Sequence, residues 1–466
     1  MEIASVLFCK RKNMSKVIRI KKGLDIPLLG EAEKILQQAP RADLYAVSPV
    51  DFHGLTPRLL VKEGDRVKAG TPLFYDKYHE DILFTSPVSG VFSLLVRGDK
   101  RRILELRIEP DATDDYIDFG VADLAAMSRE EVRSLLLKSG MWPMIRQRPY
   151  SIIARPEIVP RSIFISCFST APLAADMDFL VKGEEDHFQK GLDVLSKLTD
   201  GKLYLGVHHQ KTSSPAFLNA KNASVNHFSG PHPAGNVGIQ IHHTEPINKG
   251  DVVWQVDVQD VITIGRLFVK GIHDATKVIA LTGPEVLNPR YYRVTSGAQL
   301  ASLVKGNIRI QKDVTPRFVS GDPLTGTKSS FNGFLGFYHS QVTVLPEGDQ
   351  PELVGWIAPN LDKFSISRTF LSFLMPGKKY RHNTNIRSGE RPFVVTGLYE
   401  KMLPMDILPM QLLKAIMIND IDKMEQLGIY EVAPEDFALC EYVCPSKIEI
   451  QSVIREGLDS MIREFS

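Results

Sequence analysis

A loop rich in glycine and proline, followed by a long apolar run, most constrains the fold of this chain. Residues 228–236 hold two prolines and two glycines, so they predict a shaped loop and not a helix. The apolar, β-branched stretches 237–241, 252–258 and 261–264 follow and predict buried strands. A Gly/Pro loop feeding buried strands builds the ligand crevice of many α/β domains, and it also serves as a plain corner. Both interpretations stay open.

Composition limits the classes of function. The chain has 466 residues, which is too long for one core and predicts three or four domains. Hydrophobic residues make up 43% and charged residues 24%, as in ordinary soluble globular proteins. The 56 basic residues are balanced by 55 acidic ones, giving a net charge of +1. This balance excludes nucleic acid as a main partner.

Targeting signals and cysteines indicate a compartment. No apolar run approaches the roughly 18 residues of a membrane span, and residues 1–13 are too short and too basic for a signal peptide. We therefore expect a cytoplasmic or peripheral protein, with residues 1–13 as a disordered or upstream extension. Four cysteines in so long a chain predict no disulfide framework.

Short strands separated by turn residues dominate residues 45–108. The turns at 64–65, 70–72 and 86–90 are typical of a barrel-sandwich domain that resembles biotinyl and lipoyl domains. A lysine at the hairpin tip of lipoyl domains carries a covalent swinging arm, and Lys77 lies near that place. Lys77 is interpreted either as such a carrier or, as we favour, as a solvated turn lysine.

A linker and a capped helix lead into the next unit. Residues 111–127 are acidic and turn-rich, and Ser128 with Glu131 predicts a capping box at the start of a helix. Segment 142–150 then combines aromatic, apolar and guanidinium groups between prolines. Such a segment suits a flat, weakly polar ligand or a protein groove. The alternative is a linker with Trp142 in the core.

Alternating strands and helices follow. Residues 163–168 and 202–207 predict buried strands, 179–198 a helical region, and 217–225 a polar loop or helix. This alternation favours a Rossmann-like α/β domain. No G-x-G-x-x-G motif follows these strands, so the usual dinucleotide fingerprint is missing.

Histidines and cysteines are the candidate metal ligands of this chain. Adjacent histidines on a strand point to opposite faces, and no ligand spacing supports a site, so no metal is predicted. Cys440 and Cys444 form a Cys-x3-Cys-Pro run like those that bind iron-sulfur clusters, which need about four thiolates. Since Cys9 and Cys167 lie far away in the sequence, we interpret the run as vestigial. The histidines concerned are His208, His209, His227, His232, His242 and His243.

The pattern changes twice more toward the C-terminus. Residues 280–335 contain short strands, glycine turns and a central helix at 300–305, which fit a β-grasp module. Stretches 334–347 and 352–357 predict a further strand pair. Beyond residue 403 the apolar period becomes 3.6, which predicts a helical domain.

The sequence thus predicts a multidomain α/β (α+β) chain. Its expected units are an extension at 1–13, a barrel-sandwich hybrid at 14–110, a Rossmann-like α/β domain at 128–279, a β-grasp, SLBB-like module at 280–335, a strand pair with a connecting segment at 336–402, and a helical domain at 403–466.

Many sequence motifs, in the same order along the chain, resemble those of one family, the A subunit of the Na+-translocating NADH:quinone oxidoreductases (Na+-NQR). The similarity spans residues 14–464. The matching motifs are Lys-Lys-Gly-Leu-Asp at 21–25, Gly-Pro-His-Pro-Ala-Gly at 230–235, Trp254 with Gln-Asp-Val-Ile at 259–262, Gly-Pro at 283–284 with Pro-Arg at 289–290, Leu-Gly-Phe-Tyr-His at 335–339, Phe-Ser-Ile-Ser-Arg-Thr-Phe-Leu at 364–371, Tyr-Glu at 399–400 with Pro-Met-Asp-Ile at 404–407, Ala-Leu-Cys at 438–440 and Val-Cys-Pro at 443–445. The sequence departs from the family at Gln240 and His243, where His and Phe are expected.

The resemblance implies a function. It implies a peripheral subunit on the cytoplasmic side of the bacterial inner membrane, soluble when isolated, in a six-subunit complex that includes a membrane-embedded B subunit. The complex is a sodium-transporting oxidoreductase that uses NADH and ubiquinone. The resemblance further implies quinone as substrate, no tightly bound cofactor on this chain, and flavin and iron-sulfur on other subunits. Two functions stay open, a subunit that assists quinone binding and a docking subunit with no ligand of its own; a carrier protein, resting on Lys77 alone, is a third.

A quinone ring needs aromatic faces and one or two hydrogen-bond donors, which two stretches offer. A crevice between the first two domains would bring these stretches together. Arg148 is interpreted either as a donor to a quinone carbonyl or as the partner of a carboxylate that holds the loop. The candidate quinone-binding residues are Phe52, His53, Trp142, Arg146, Arg148 and Tyr150.

Overall fold

The computed structural model describes residues 17–349, 360–386 and 391–465. The predicted extension at 1–13 and the predicted strand at 352–357 lie outside these ranges. Within them, strands form four sheets and helices cover their faces or follow them in the chain. The predicted mixed α/β class is confirmed.

The N-terminal unit consists of two small antiparallel sheets packed face to face. Phe74 and Phe84 stack in their shared core at 4.6 Å, and Phe92 and Leu106 are buried beside them. The four-stranded sheet contains, in spatial order, Tyr45–Val47, Ile103–Pro110, Gly90–Arg97 and Arg66–Val67, and the three-stranded sheet contains Pro57–Leu59, Pro72–Asp76 and His79–Thr85.

The second unit is built on a seven-stranded sheet whose first five strands are parallel. Arg146–Arg148 joins antiparallel, next to Val253–Gln255. The strands, in spatial order, are Ile18–Arg19, Ser224–Ser229, Lys202–His208, Ser162–Ser166, Val253–Gln255, Arg146–Arg148 and Ile152–Ile153. The helices are Arg129–Lys138, Met177–Leu180, Glu185–Ser196, Pro215–Leu218, Val237–Thr244 and Val258–Lys270.

Two of the three strands predicted after the Gly/Pro loop are helices. Stretch 237–241 lies in the helix Val237–Thr244, and stretch 261–264 lies in the helix Val258–Lys270. An unbroken apolar run does not distinguish a buried strand from a buried helix, and length and flanking residues decide. Here Gly271, with φ 71°, ends the second helix and donates its N–H to Leu267 O. The predicted polar segment 217–225 ends as the strand Ser224–Ser229.

The third unit contains a six-stranded sheet that collects strands from distant parts of the chain. Gln341–Pro346 pairs with Thr276–Thr282 and Pro316–Ser320, and its predicted partner at 352–357 lies outside the described residues. In spatial order the strands are Thr327–Ser329, Pro316–Ser320, Gln341–Pro346, Thr276–Thr282, Arg290–Thr295 and Glu33–Gln38, with the short helix Ala301–Val304 beside them.

The C-terminal region is helical, as predicted. Its apolar side chains, among them Leu412 and Leu458, share one core with Phe228 and Ile239 of the second unit. The helices are Tyr399–Met402, Pro409–Met417, Ile421–Gln426, Ala438–Val443 and Ile450–Phe465, with 3-10 turns at Leu371–Leu374, Ile429–Glu431 and Pro434–Phe437.

Among the helices of the described residues, none combines the length and the apolar character needed to span a membrane.

Candidate functional site

A cavity lies where the barrel-sandwich, the α/β unit and the six-stranded sheet meet. We call it the junction cavity. Its volume is about 40 Å³, enough for a few water molecules and too small for an aromatic ring. It is lined by Ala46, Val47, Ser48, Asp51, Phe52, Phe84, Thr85, Pro87, Gly140, Pro143, Met144, Gln259, Asp260, Thr263, His273, Ala275, Lys277, Ser296, Gly297, Leu335 and Phe337.

Aromatic rings form one wall of the junction cavity. Phe52 follows the short 3-10 turn Pro49–Asp51, and its ring centroid lies 4.6 Å from Phe84 and 4.8 Å from Phe337. The ring of Tyr338 lies 5.0 Å from Phe337, behind the wall. Edge and tilted contacts of this kind hold the rings in place without filling the space in front of them.

Asp260 and Lys277 are ionisable side chains in the lining of the same cavity. No hydrogen bond or ion pair joins the Asp260 carboxylate to another residue within 17–349, 360–386 or 391–465. Burial, together with the nearby Asp257 carboxylate, raises the pKa of Asp260, because a charged carboxylate is poorly solvated there. Burial lowers the pKa of Lys277, whose Nζ donates to Phe337 O at 2.8 Å. Both shifts favour the neutral forms of the two side chains.

Asp51 shares the cavity but is anchored. Its Oδ2 accepts the N–H of Phe337 at 2.9 Å, which fixes that aromatic residue in the wall. Burial raises the pKa of Asp51 to about 6. Asp51 therefore positions an aromatic side chain, whereas Asp260 faces the cavity with its hydrogen-bonding capacity unused.

Neutral and cationic groups surround this centre. His273 lies within 2.9 Å of the Thr85 hydroxyl and 3.0 Å of Ser139 O, and burial lowers its pKa to about 4. Tyr338 donates its hydroxyl proton to Pro143 O at 2.6 Å. The Arg146 guanidinium lies 4.6 Å from the centre of the Tyr338 ring, a cation–π contact that braces the aromatic wall.

Comparisons with known proteins agree with this architecture. The model described as the NqrA N-terminal barrel-sandwich hybrid domain matches residues 18–111, that of the NqrA second alpha/beta domain matches 127–273, and an SLBB model described as the NQRA C-terminal domain matches 278–330. The chain is 40% identical over 454 residues to the A subunit of the Na(+)-translocating NADH-quinone reductase of Yersinia pestis bv. Antiqua, covering 96% of this chain and 100% of that one. It is 38% identical over 451 residues to the protein of the same name from Neisseria meningitidis serogroup B, with the same coverage.

The chain belongs to the NqrA family, the A subunits of Na(+)-translocating NADH-quinone reductases. The resemblance drawn from its sequence is thereby confirmed, as are the barrel-sandwich and SLBB domains. Among solved structures, a NAD+-reducing NiFe-hydrogenase chain is 13% identical over 73% of this chain and 64% of its own. The TM-score is 0.36, too low to indicate a shared fold.

Of the six residues predicted for the site of this family member, Phe52 alone lines the junction cavity. Arg146 lies behind the wall, against Tyr338, and its Nη2 donates to Asp257 at 3.1 Å. His53 is exposed, and its Nε2 lies 2.7 Å from the Asp459 carboxylate. The junction cavity therefore gathers a different set of residues from the predicted crevice between the first two domains.

Trp142 and Tyr150 do not form ligand faces. Trp142 is fully buried, donates Nε1–H to Ala154 O at 2.7 Å, and packs edge-on against Trp254 at 5.5 Å. This is the alternative in which Trp142 belongs to the core. Tyr150 is half-buried and packs against Tyr430 at 6.3 Å, on the side of the helical region. Side chains of segment 142–150 diverge because it is a 3-10 turn, a strand and a sharp bend in succession.

Arg148 is an internal ion-pair residue. Its side chain is completely buried, and its guanidinium donates to Glu435 at 2.6 Å, Asp436 at 3.2 Å and Gln255 at 2.9 Å. The predicted role as a quinone donor is therefore replaced by the alternative of a carboxylate partner. These bonds connect the α/β unit with the C-terminal helical region.

Asp260 and Lys277 were not among the residues predicted from the sequence. The stretch after Asp260 was predicted to be a strand, whereas a helix from Val258 to Lys270 places Asp260 and Thr263 one turn apart on the face toward the cavity. One signal was available. A lone carboxylate in an apolar run is costly to bury, so its presence marks a position with a special environment.

The remaining candidate residues have structural contacts. Cys440 and Cys444 are both buried; the Tyr399 hydroxyl donates to Cys444 Sγ at 2.9 Å, and burial raises the pKa of the Cys440 thiol. The described part of the chain contains no group of three His, Cys, Asp or Glu residues arranged for a metal ion. Lys77 and Tyr78 form an exposed two-residue turn between Pro72–Asp76 and His79–Thr85.

Proposed function

We propose that this chain serves as the A subunit of a Na+-translocating NADH-quinone reductase and that the ring of a quinone binds in the junction cavity. The names of the relatives supply the assembly and the substrate class. The observation that carries the site is an aromatic wall facing an unpaired, largely buried carboxyl group and a buried lysine.

The lining of the cavity suits both parts of a quinone ring. Its flat apolar faces can stack on Phe52 and Phe337, and its two carbonyl oxygens can accept hydrogen bonds. Lys277 and protonated Asp260 are the donors in the lining. The present volume of about 40 Å³ requires the wall to open before a ring enters. Phe52 follows the 3-10 turn Pro49–Asp51, and movement of that turn widens the cavity at the cost of the hydrogen bond between Asp51 and Phe337.

The proposed chemistry of this chain is proton supply. Reduction of a quinone to a quinol consumes two electrons and two protons. The electrons come from NADH through flavin and iron-sulfur groups on other subunits. Asp260, in its protonated form, gives one proton to a quinone oxygen and is left as a carboxylate; the second proton comes from water, directly or by reprotonation of Asp260, and Lys277 donates a hydrogen bond to the ring.

The wider assembly is part of the proposal. It places the chain peripherally on the cytoplasmic side of a six-subunit complex, in contact with the membrane-embedded B subunit. Electron transfer from NADH and sodium export are then properties of the assembled complex, and the isolated chain is inactive. We further propose that the isolated chain carries neither flavin nor an iron-sulfur cluster.

Calorimetric titration with a short-chain benzoquinone tests the site. Asp260→Leu and Lys277→Met each remove one hydrogen-bonding group, and we expect each to weaken binding roughly five- to hundredfold, since a buried carbonyl left without its hydrogen bond costs about 1–3 kcal/mol. His53→Asn is the matched control, because His53 is polar and exposed and lies outside the cavity. Equal affinity of all three variants and the unmodified chain would exclude the cavity.

A docking subunit with no ligand of its own is the second candidate function. The small volume of the cavity favours it, since a ring does not fit without rearrangement. In that case the unmodified chain shows no heat of binding at quinone concentrations up to the solubility limit. Its removal from the complex would then reduce assembly, and quinone affinity would stay unchanged in any complex that forms.

A further inference from the structure

The segment 360–386 presents an exposed apolar tip, formed by residues 366–374. Leu371–Leu374 is a 3-10 turn, and the exposed fraction is 45% for Leu371, 49% for Phe373 and 65% for Leu374. Ile366 is 38% exposed on the same segment. Apolar side chains of this size rarely project together into water unless they bind something.

The tip is braced from within. The N–H of Phe370 donates to the Ser365 hydroxyl at 3.0 Å, and the N–H of Ser365 donates to the Ser372 hydroxyl at 3.2 Å. Phe370 and Ser372 are buried, while the residues on either side of Ser372 face outward. Leu371, Phe373 and Leu374 therefore project from an internally bonded turn, whereas Ile366 and Phe370 line the cavity that this segment forms with the C-terminal helices.

Basic side chains are concentrated in segment 360–386, and three of them, Lys378, Lys379 and Arg381, pair with carboxylates. Segment 360–386 contains five basic residues and one acidic residue, whereas the whole chain has a net charge of only +1. Lys378 and Lys379 pair with Asp362 and Glu31, each at 2.7 Å, and so attach the segment to itself and to the body of the protein. Arg368, at the tip, has no carboxylate partner among the described residues and lies 5.6 Å from the Phe373 ring.

We infer that the 366–374 tip inserts into the headgroup region of an anionic lipid bilayer. A membrane surface takes up convex apolar side chains at the boundary of its acyl chains, and its anionic headgroups attract cations beside them. Leu371, Phe373 and Leu374 supply the apolar contact, and Arg368 supplies the cation at headgroup depth. This surface is separate from the junction cavity, and the inference holds whether or not quinone binds there.

Flotation of the full chain with lipid vesicles tests the inference. We expect the chain to float with vesicles of phosphatidylcholine and phosphatidylglycerol, less with phosphatidylcholine alone, and less again at high salt. The triple variant Leu371→Ser, Phe373→Ser, Leu374→Ser should lower binding by on the order of tenfold or more, because it removes the apolar contact. Arg368→Gln should reduce the preference for the anionic vesicles.

The control removes similar exposed apolar surface elsewhere. Val121, Ile310 and Ile418 are 71%, 98% and 69% exposed, and their triple replacement by serine should leave flotation unchanged. Equal loss in both triple variants, or no flotation of the unmodified chain at low salt, would overturn the inference. Assembly defects of the tip variant in the absence of any vesicle binding would overturn it as well and would assign the tip to a protein partner.

A second variant guards against misfolding of the serine variants. Phe373→Trp keeps a large aromatic ring at the tip and adds a fluorescent probe. Its emission, after subtraction of that of the unmodified chain, should shift to shorter wavelength on anionic vesicles and be quenched by brominated lipid. An unchanged emission spectrum would show that residue 373 stays in water.

Discussion

At the scale of single residues, this protein keeps charged side chains inside in two different ways. Arg148 is completely buried and donates to two carboxylates and an amide, so its charge is compensated by neighbours. Asp260 faces the junction cavity without such partners, and burial shifts its pKa toward the neutral acid. The first arrangement holds two parts of the fold together, and the second leaves a group available for chemistry.

Removal of the Arg148 guanidinium should destabilise the fold. In Arg148→Met, Asp436 loses its partner in a buried site, and we expect the free energy of unfolding to fall by about 3–5 kcal/mol, as measured by urea denaturation. The double variant Arg148→Met, Asp436→Asn also removes the fully buried one of the two carboxylates left without a partner, Glu435 being the other, and should recover part of the loss. No recovery in the double variant would show that Arg148 stabilises by packing and not by charge.

At the scale of elements, the crossing of two helices organises the α/β unit. Glu185–Ser196 and Val258–Lys270 approach so closely that a Cβ added at Gly265 would lie 1.8 Å from His187 O. A Cβ at Gly191 would lie 2.0 Å from Val261 O. Both glycines therefore allow backbone-to-backbone contact between the helices, which in turn places Asp260 at the cavity.

Replacement of Gly265 by alanine should separate these helices. Alanine favours a helix by about 1 kcal/mol over glycine, but the added methyl group meets backbone that has no room to move, and overpacking costs about 1–3 kcal/mol or more. We expect a net loss of stability and, because Asp260 moves with its helix, weaker quinone binding. Differential scanning calorimetry measures the loss.

Gly377→Ala is the matched control for the helix crossing. No atom lies within 4 Å of a Cβ built at Gly377, so this change should alter the free energy of unfolding by less than about 0.5 kcal/mol. An equal effect of the two substitutions would contradict the close-packing argument.

The sequence allowed more of the fold to be predicted than of the site. The predicted strands at Ser162–Ser166 and Lys202–His208 and the predicted capping box at Ser128 are confirmed, because local sequence patterns determine them. The helix Val258–Lys270 was missed, because its short apolar stretch 261–264 is as compatible with a buried strand as with a buried helix. The domain boundaries proposed from sequence stay a prediction.

The site was harder to predict because it depends on long-range packing. Phe52, Asp260 and Phe337 come from three different units. More than two hundred residues separate Phe52 from Asp260, and more than seventy separate Asp260 from Phe337, so no local pattern links them. Arg148 was proposed as a ligand donor because a basic, aromatic segment suits a flat ligand. Its actual partners, Glu435 and Asp436, lie almost three hundred residues away.

At the scale of the whole molecule, buried histidines make stability depend on pH. Burial lowers the pKa values of His273 and His339 from 6.5 to about 4. The unfolded chain therefore binds more protons between pH 4 and 6.5, so stability rises with pH across this window and is lost as pH falls. Asp51, whose pKa is raised to about 6, acts in the opposite direction between pH 3.8 and 6.

His273→Asn should flatten this pH dependence. One histidine with these pKa values contributes about 2 kcal/mol between pH 7 and pH 5, and the variant should lose that part of the slope. Urea denaturation at pH 5, 6 and 7 measures it, with the value at pH 7 serving as the baseline for lost packing. A parallel downward shift at every pH would mean that His273 does not titrate on unfolding.

The path of the first described residues has a consequence for how the chain folds during synthesis. Ile18–Arg19 pairs with Phe228 and Ser229, and Glu33–Gln38 pairs with Arg290–Thr295. At translation rates of about 5–20 residues per second, these early segments wait on the order of ten seconds or more for the strands that complete their sheets. Two edge segments thus stay unpaired while the ribosome makes the middle of the chain. The two N-terminal segments therefore enter their sheets only after more than two hundred further residues have been made, and each takes an edge position.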